Sequence, residues 1–107
     1  MRLAKSFILA AAGVLLISAA AVPDRRIGQK GRMFSQENVT VPRGVAVQFV
    51  NDDTVPHNIM SLTPDNEFDL GSQMPGSVTP VTFDRAGIVA VVCAIHPRMH
   101  MTITVMP

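Results

Sequence analysis

The chain has 107 residues, with nine Lys and Arg against eight Asp and Glu and a formal charge of +1. So even a balance leaves no electrostatic footprint for nucleic acid, and the length bounds the chain to one small domain. The single cysteine, Cys93, excludes an internal disulfide, and the absence of CxxC and CxxCH motifs argues against structural zinc and c-type haem.

In chain order, the first segment reads as a secretory signal. Arg2 and Lys5 are basic, residues 7–17 are apolar, and Ala19, Ala20 and Ala21 form a small-residue cleavage site. The apolar run 7–22 falls short of the roughly 20 residues that a spanning helix needs, which disfavours a membrane anchor. Cleavage after residue 21 leaves a domain at 22–107, 86 of the 107 residues, with seven basic and eight acidic side chains. The core of so small a domain is marginal without a metal or a disulfide.

Residues 24–32 are polar with Ile27 as their one large apolar residue, which predicts an exposed first strand or arm. Phe34 is expected in the core, and residues 39–41 alternate as a half-buried strand. Pro42, Arg43 and Gly44 supply a turn before a strand over 45–50 with Val45, Val47 and Phe49 on one face. A polar loop, 51–56, delivers His57 to the start of a strand over 58–62. After a turn at 63–67, residues 68–71 read as a short strand and 72–77 as loop. The alternation over 78–83 contains Pro80, which predicts an edge strand. Residues 88–93 are apolar on both faces, as in a central buried strand, and Cys93 ends it. The last strand is 101–105, with Ile103 and Val105 sharing a face. No helical period survives outside the signal, so the fold class is all-β, a two-sheet Greek-key sandwich.

The chemistry gathers at Cys93, His96 and Met99, spaced C-x-x-H-P-x-M. Thiolate and thioether are soft donors and imidazole is borderline, a set that suits copper far better than magnesium, calcium or manganese. A lone exported thiol is a liability unless buried or ligated, so Cys93 itself argues for a metal. A blue-copper centre takes two His and one Cys in a plane with a weak axial Met, and His57 is the candidate for the second His. A single His is most often an ordinary surface or core residue; the joint spacing with Cys93 reverses that preference for His57 and His96. A Cys-His hydrolase would want a larger fold and an oxyanion site, for which no segment stands out.

The stretch Asn51 to Asn58, N-x-D-x-x-x-H-N, followed by C-x-x-H-P-x-M, resembles the small cupredoxins, blue-copper proteins of the amicyanin and plastocyanin kind. The likeness covers nearly all the chain beyond its first two dozen residues. It implies one copper ion, cycling between Cu(I) and Cu(II), held by His57, Cys93, His96 and Met99. It also implies an exported, periplasmic one-electron carrier, a monomer with no catalysis of its own, no nucleic-acid partner and no stable membrane insertion. Its partner would be a redox protein, a cytochrome or a dehydrogenase. The axial position is open between Met99, at the amicyanin-like interval from His96, and Met101, at the plastocyanin-like one; the register against Ile103 favours Met99. Asn58 is expected to tie the two ligand loops, its amide reaching the thiolate. Ala94 replaces the relatives' Ser or Thr, so the Asn58 side chain is expected to turn to backbone. His100 reads as a surface residue or an auxiliary copper-capture group. Met60, Met74, Met101 and His100 motivate the alternative of a periplasmic copper chaperone or sequestration protein, and an enzyme accessory domain is a third possibility. Electrons are expected to pass through His96, with Pro56, Met74, Pro75 and Pro97 converging around it as an apolar patch.

Overall fold

The computed structural model describes residues 25–107, and the predicted signal segment with its cleavage point lies outside the described residues. Nine strands follow one another: β1 (Arg26–Lys30), β2 (Met33–Phe34), β3 (Asn38–Pro42), β4 (Ala46–Asn51), β5 (Ile59–Ser61), β6 (Phe68–Asp69), β7 (Val78–Thr82), β8 (Gly87–Cys93) and β9 (His100–Met106). They form a four-stranded sheet in the order β2-β1-β4-β7 and a five-stranded sheet in the order β3-β9-β8-β5-β6. The predicted two-sheet, all-β sandwich is what forms. Two of its pairings, β1 with β4 and β3 with β9, are parallel.

The alternating pattern of each strand decides which side chains meet between the sheets. Val47 and Phe49 of β4, Val89, Val91 and Cys93 of β8, and Met101, Ile103 and Val105 of β9 are all buried, with Phe34, as expected, beside them. Each large apolar side chain so enclosed contributes about 1.5–3 kcal/mol of transfer free energy. Pro80 lies opposite Gln48 on β7, and β7 is an edge of its sheet, where a missing backbone donor leaves no ladder bond unmade.

Two strands depart from expectation. β1 is an inner strand of its sheet rather than an exposed arm, with Ile27 and Gln29 both buried. Its glycine serves a close approach: a Cβ on Gly28 would lie 2.9 Å from Oδ2 of Asp52. The β1–β2 hairpin turns through Gly31 and Arg32, both at positive φ (60° and 55°), the left-handed pair that matches the twist of the flanking strands. β8 is central in its sheet, but one of its faces is open, with Ile88 70% exposed. The sandwich has only two layers, so an apolar outer face on β8 has nothing among the described residues to pack against.

Candidate metal centre

His57 is held before its side chain is considered. Asn51 Oδ1 accepts from the Asp53 amide (2.9 Å), and Asn51 Nδ2 donates to the carbonyls of Val55 (2.9 Å) and Gln73 (2.8 Å), which folds residues 51–56 into a braced loop. The backbones of His57 and Gln73 then exchange two hydrogen bonds, 3.0 and 2.7 Å, an isolated antiparallel bridge. Cys93 arrives by strand pairing. β5 lies on β8 with Ile59 opposite Cys93, so the neighbouring amide of Asn58 meets the sulfur, N to Sγ 3.3 Å, and the Ala94 amide donates to the Asn58 carbonyl at 2.8 Å. The remaining loop closes on itself: the Met99 amide donates to the His96 carbonyl (2.9 Å) and the Cys93 amide to the Met99 carbonyl (3.1 Å).

These elements bring three donor atoms together. Nδ1 of His57 and Nδ1 of His96 are 3.1 Å apart, and Sγ of Cys93 is 3.8 and 3.7 Å from them. A point equidistant from all three lies about 2.1 Å from each, inside the roughly 2.0–2.3 Å that imidazole and thiolate bonds to a borderline-soft ion take. The donor set therefore fits one ion at its centre. Other clusters of three or more His, Cys, Asp or Glu suited to a metal do not occur among the described residues. His57 and Cys93 are buried and His96 is half-buried, so the order of exposure is the expected one.

The tautomer of His57 is set from behind. Its Nε2–H donates to Oδ2 of Asp53 at 3.0 Å, which leaves the Nδ1 lone pair facing the other donors. The Arg32 and Thr54 amides donate to the Asp53 carboxylate and hold its pKa down to about 2; burial opposes them, and the His57 ring adds a smaller pull in their direction. Burial foremost, then the neighbouring His57 ring and the Arg32 guanidinium, lowers the pKa of His96, against a smaller opposing effect of Asp53. The lowered value favours the neutral imidazole that a metal ligand must be.

Both candidate axial residues are buried, Met99 at 1% and Met101 at 2% exposure. They differ in context: Met101 is registered opposite Val91 inside the β8–β9 ladder, whereas Met99 belongs to the ligand loop before the strand begins. His100 is on the surface. The Asn58 side chain goes neither to a hydroxyl nor to backbone but to the Asp69 carboxylate, Nδ2 to Oδ1 2.6 Å. The depression beside His96 is lined by Arg32, Ile95, Pro97 and Arg98, so one of the four anticipated apolar residues, Pro97, lies there together with two arginines.

Sequence reasoning missed Asp53, Gln73 and the hairpin amide of Arg32. An Asn two residues before an Asp is a legible Asx-turn signal that would have framed the Asp53 loop. Gln73, within a stretch that reads only as loop, carries no such signal.

The family described as copper binding proteins of the plastocyanin/azurin family matches residues 24–106. No curated protein sequence matches significantly. Among solved structures, a purple cupredoxin from Nitrosopumilus maritimus is 27% identical over 76% of this chain and 98% of its own, with a TM-score of 0.68. Amicyanin from Paracoccus versutus shares the fold at 22% identity and a TM-score of 0.72, over 83% of this chain and 87% of its own. A copper-containing nitrite reductase from Thermus scotoductus shares it at 24% identity and a TM-score of 0.71, over 77% of this chain but only 22% of the reductase. With nearly all of its described residues inside the family match and three convergent donors at its centre, the chain belongs to the plastocyanin/azurin family of copper-binding proteins, with one copper ion as its cofactor.

Proposed function

We propose that the protein is an exported, monomeric blue-copper electron carrier rather than an enzyme, with His57, Cys93 and His96 as in-plane ligands and Met99 as the weak axial one. The observation that carries this reading is the triangle of Nδ1, Nδ1 and Sγ, with edges of 3.1, 3.7 and 3.8 Å. Bound copper supplies the one-electron couple between Cu(I) and Cu(II). The chain's own residues do the rest. The Cys93 thiolate offsets the cation's charge, and the Asn58 amide, donating to its sulfur, stabilises that charge. Asp53 keeps the Nδ1 of His57 aimed inward, and the bridge to Gln73 keeps its backbone from moving. A site so braced rearranges little when an electron arrives or leaves. His96, with its partial exposure, is the route for that electron.

Burial of His57, Cys93 and Met99 favours a carrier over a copper chaperone, which must hand its ion to an acceptor through open ligands. Export to the periplasm rests on the signal-like residues 1–21. The optical spectrum tests the core of the reading. The copper-loaded protein is expected to be intensely coloured by thiolate-to-Cu(II) charge transfer, and Cys93→Ser to lose that colour. A colourless wild-type protein at full copper occupancy refutes it.

A further inference from the structure

His96 lies in a depression whose other lining residues are Arg32 and Arg98 with Ile95 and Pro97. Ile95 is half exposed and both arginines are exposed. No carboxylate lines this depression, and the one guanidinium–carboxylate pair among the described residues is Arg26 with Asp52, so neither arginine is ion-paired, although Glu37 lines the adjoining hollow with both of them. The nearby Asp53 carboxylate is already occupied by His57 and the amides of Arg32 and Thr54. The positive character is local, because residues 25–107 carry seven Lys and Arg and seven Asp and Glu, a balance of zero. A cation pair around the exposed edge of a ligand, on a molecule whose other charges sum to −2, orients the whole molecule in an electric field.

We propose that this face docks a redox protein whose own docking surface carries carboxylates, with Arg32 and Arg98 pairing to them around an apolar contact of Ile95 and Pro97 over His96. The inference rests on the carrier reading and adds the partner's chemistry to it. Arginine forks match carboxylates bidentately, and complementary charge raises the encounter rate and sets the orientation while a small apolar centre leaves release fast. The centre is too small for a permanent interface, which needs far more apolar area than a transient redox encounter.

Two inorganic oxidants of opposite charge test it without knowledge of the partner. The reduced protein gives one electron to either hexacyanoferrate(III), an anion, or tris(phenanthroline)cobalt(III), a cation, and no proton moves. Between ~0.01 M and ~1 M salt the screening length falls from ~30 to ~3 Å, so the anion's rate is expected to fall about tenfold and the cation's to rise. Arg98→Glu, alone and with Arg32→Gln, is expected to reverse both slopes while the copper spectrum stays as in wild type. Flat slopes in the wild type, or slopes that the variants leave unchanged, overturn the proposal. A second readout needs no copper: the redox-inert paramagnet hexacyanochromate(III) should broaden the amide resonances of residues 32, 95, 96 and 98 in the apoprotein. Broadening confined to other positions overturns the proposal too. The carrier reading is judged apart, by reversible cycling at an electrode; a coloured protein that cycles but shows no charge preference sinks only the docking face.

Discussion

Gln29 and Gln73 meet in the interior, at 0% and 3% exposure, yet the structure makes their replacement unequal. Gln73 Oε1 accepts from Gln29 Nε2 at 3.1 Å, while Gln73 Nε2 donates to the Phe49 carbonyl at 2.8 Å. The second bond fixes how the Gln73 amide points, so Gln29 must present its nitrogen, and its own Oε1 has no partner among the described residues. Gln29→Met removes that orphan and creates one, at Gln73 Oε1, so the number of unpaired buried groups is unchanged and stability should move by no more than about 1 kcal/mol. Gln73→Met leaves the Gln29 orphan in place and adds another, Gln29 Nε2, since the Phe49 carbonyl keeps its place in the ladder opposite Thr79. The loss is about 1–3 kcal/mol, out of a total of about 5–15 for a domain. For a chain of this size that lowers Tm by at least about 4 °C. Urea and thermal unfolding of the apoprotein, followed by circular dichroism, give both numbers. Equal losses for the two variants, or a Gln73→Met loss below about 1 kcal/mol, would refute the reasoning.

Met99→Leu is expected to keep copper while changing the spectrum and raising the reduction potential, as loss of a weak axial ligand does. Met101→Leu, a volume-conserving change within the β8–β9 ladder, should cost under about 1.5 kcal/mol and leave the spectrum alone. The reverse pattern in absorption and voltammetry would assign the axial role to Met101. Copper at a thousandfold excess over its Kd should add about 4 kcal/mol of stability, hence an upward Tm shift of about 16 °C or more, and identical melts of the apo and loaded forms would contradict a site formed only in the native state. Asp53 has a folded pKa of about 2 against 3.8, so the folded state binds its proton less tightly than the unfolded chain. Its stabilisation is complete above 3.8 and disappears as pH falls through 3.8 toward 2, so apo Asp53→Asn should lose less stability than wild type over that acid range when unfolding is followed against pH.

The legible parts of the molecule are those where local pattern and tertiary role coincide. Val47 and Phe49 alternate as a half-buried strand does, Pro80 marks an edge, and the interval from Cys93 to His96 to Met99 is a property of one loop. Partners that are remote in the chain defeat such reading. Gln29 looks like surface because its hydrogen-bond partner lies 44 residues away. Gly28 looks like flexibility, although it is there to let Asp52 pass. Asp53 reads as one more polar loop residue until its carboxylate is found on the His57 ring. Ile88 misleads in the opposite sense, since its apolar side chain suggests an interior strand face that a two-layer sandwich leaves in solvent.

The parallel ladder of β3 on β9, in which Asn38 lies beside Thr102, has a consequence for the order of events in the protein's life. Pairings between such distant segments form slowly, on the millisecond-to-second scale, because the closure entropy of the intervening chain must be overcome before any contact repays it. β9 follows every donor residue, and the loop that presents Cys93, His96 and Met99 to His57 is fastened only when β9 is in its sheet. A growing chain thus offers isolated ligands but no binding place. Metal capture belongs after synthesis and folding, and its rate in refolding apoprotein should follow the closure of that final ladder.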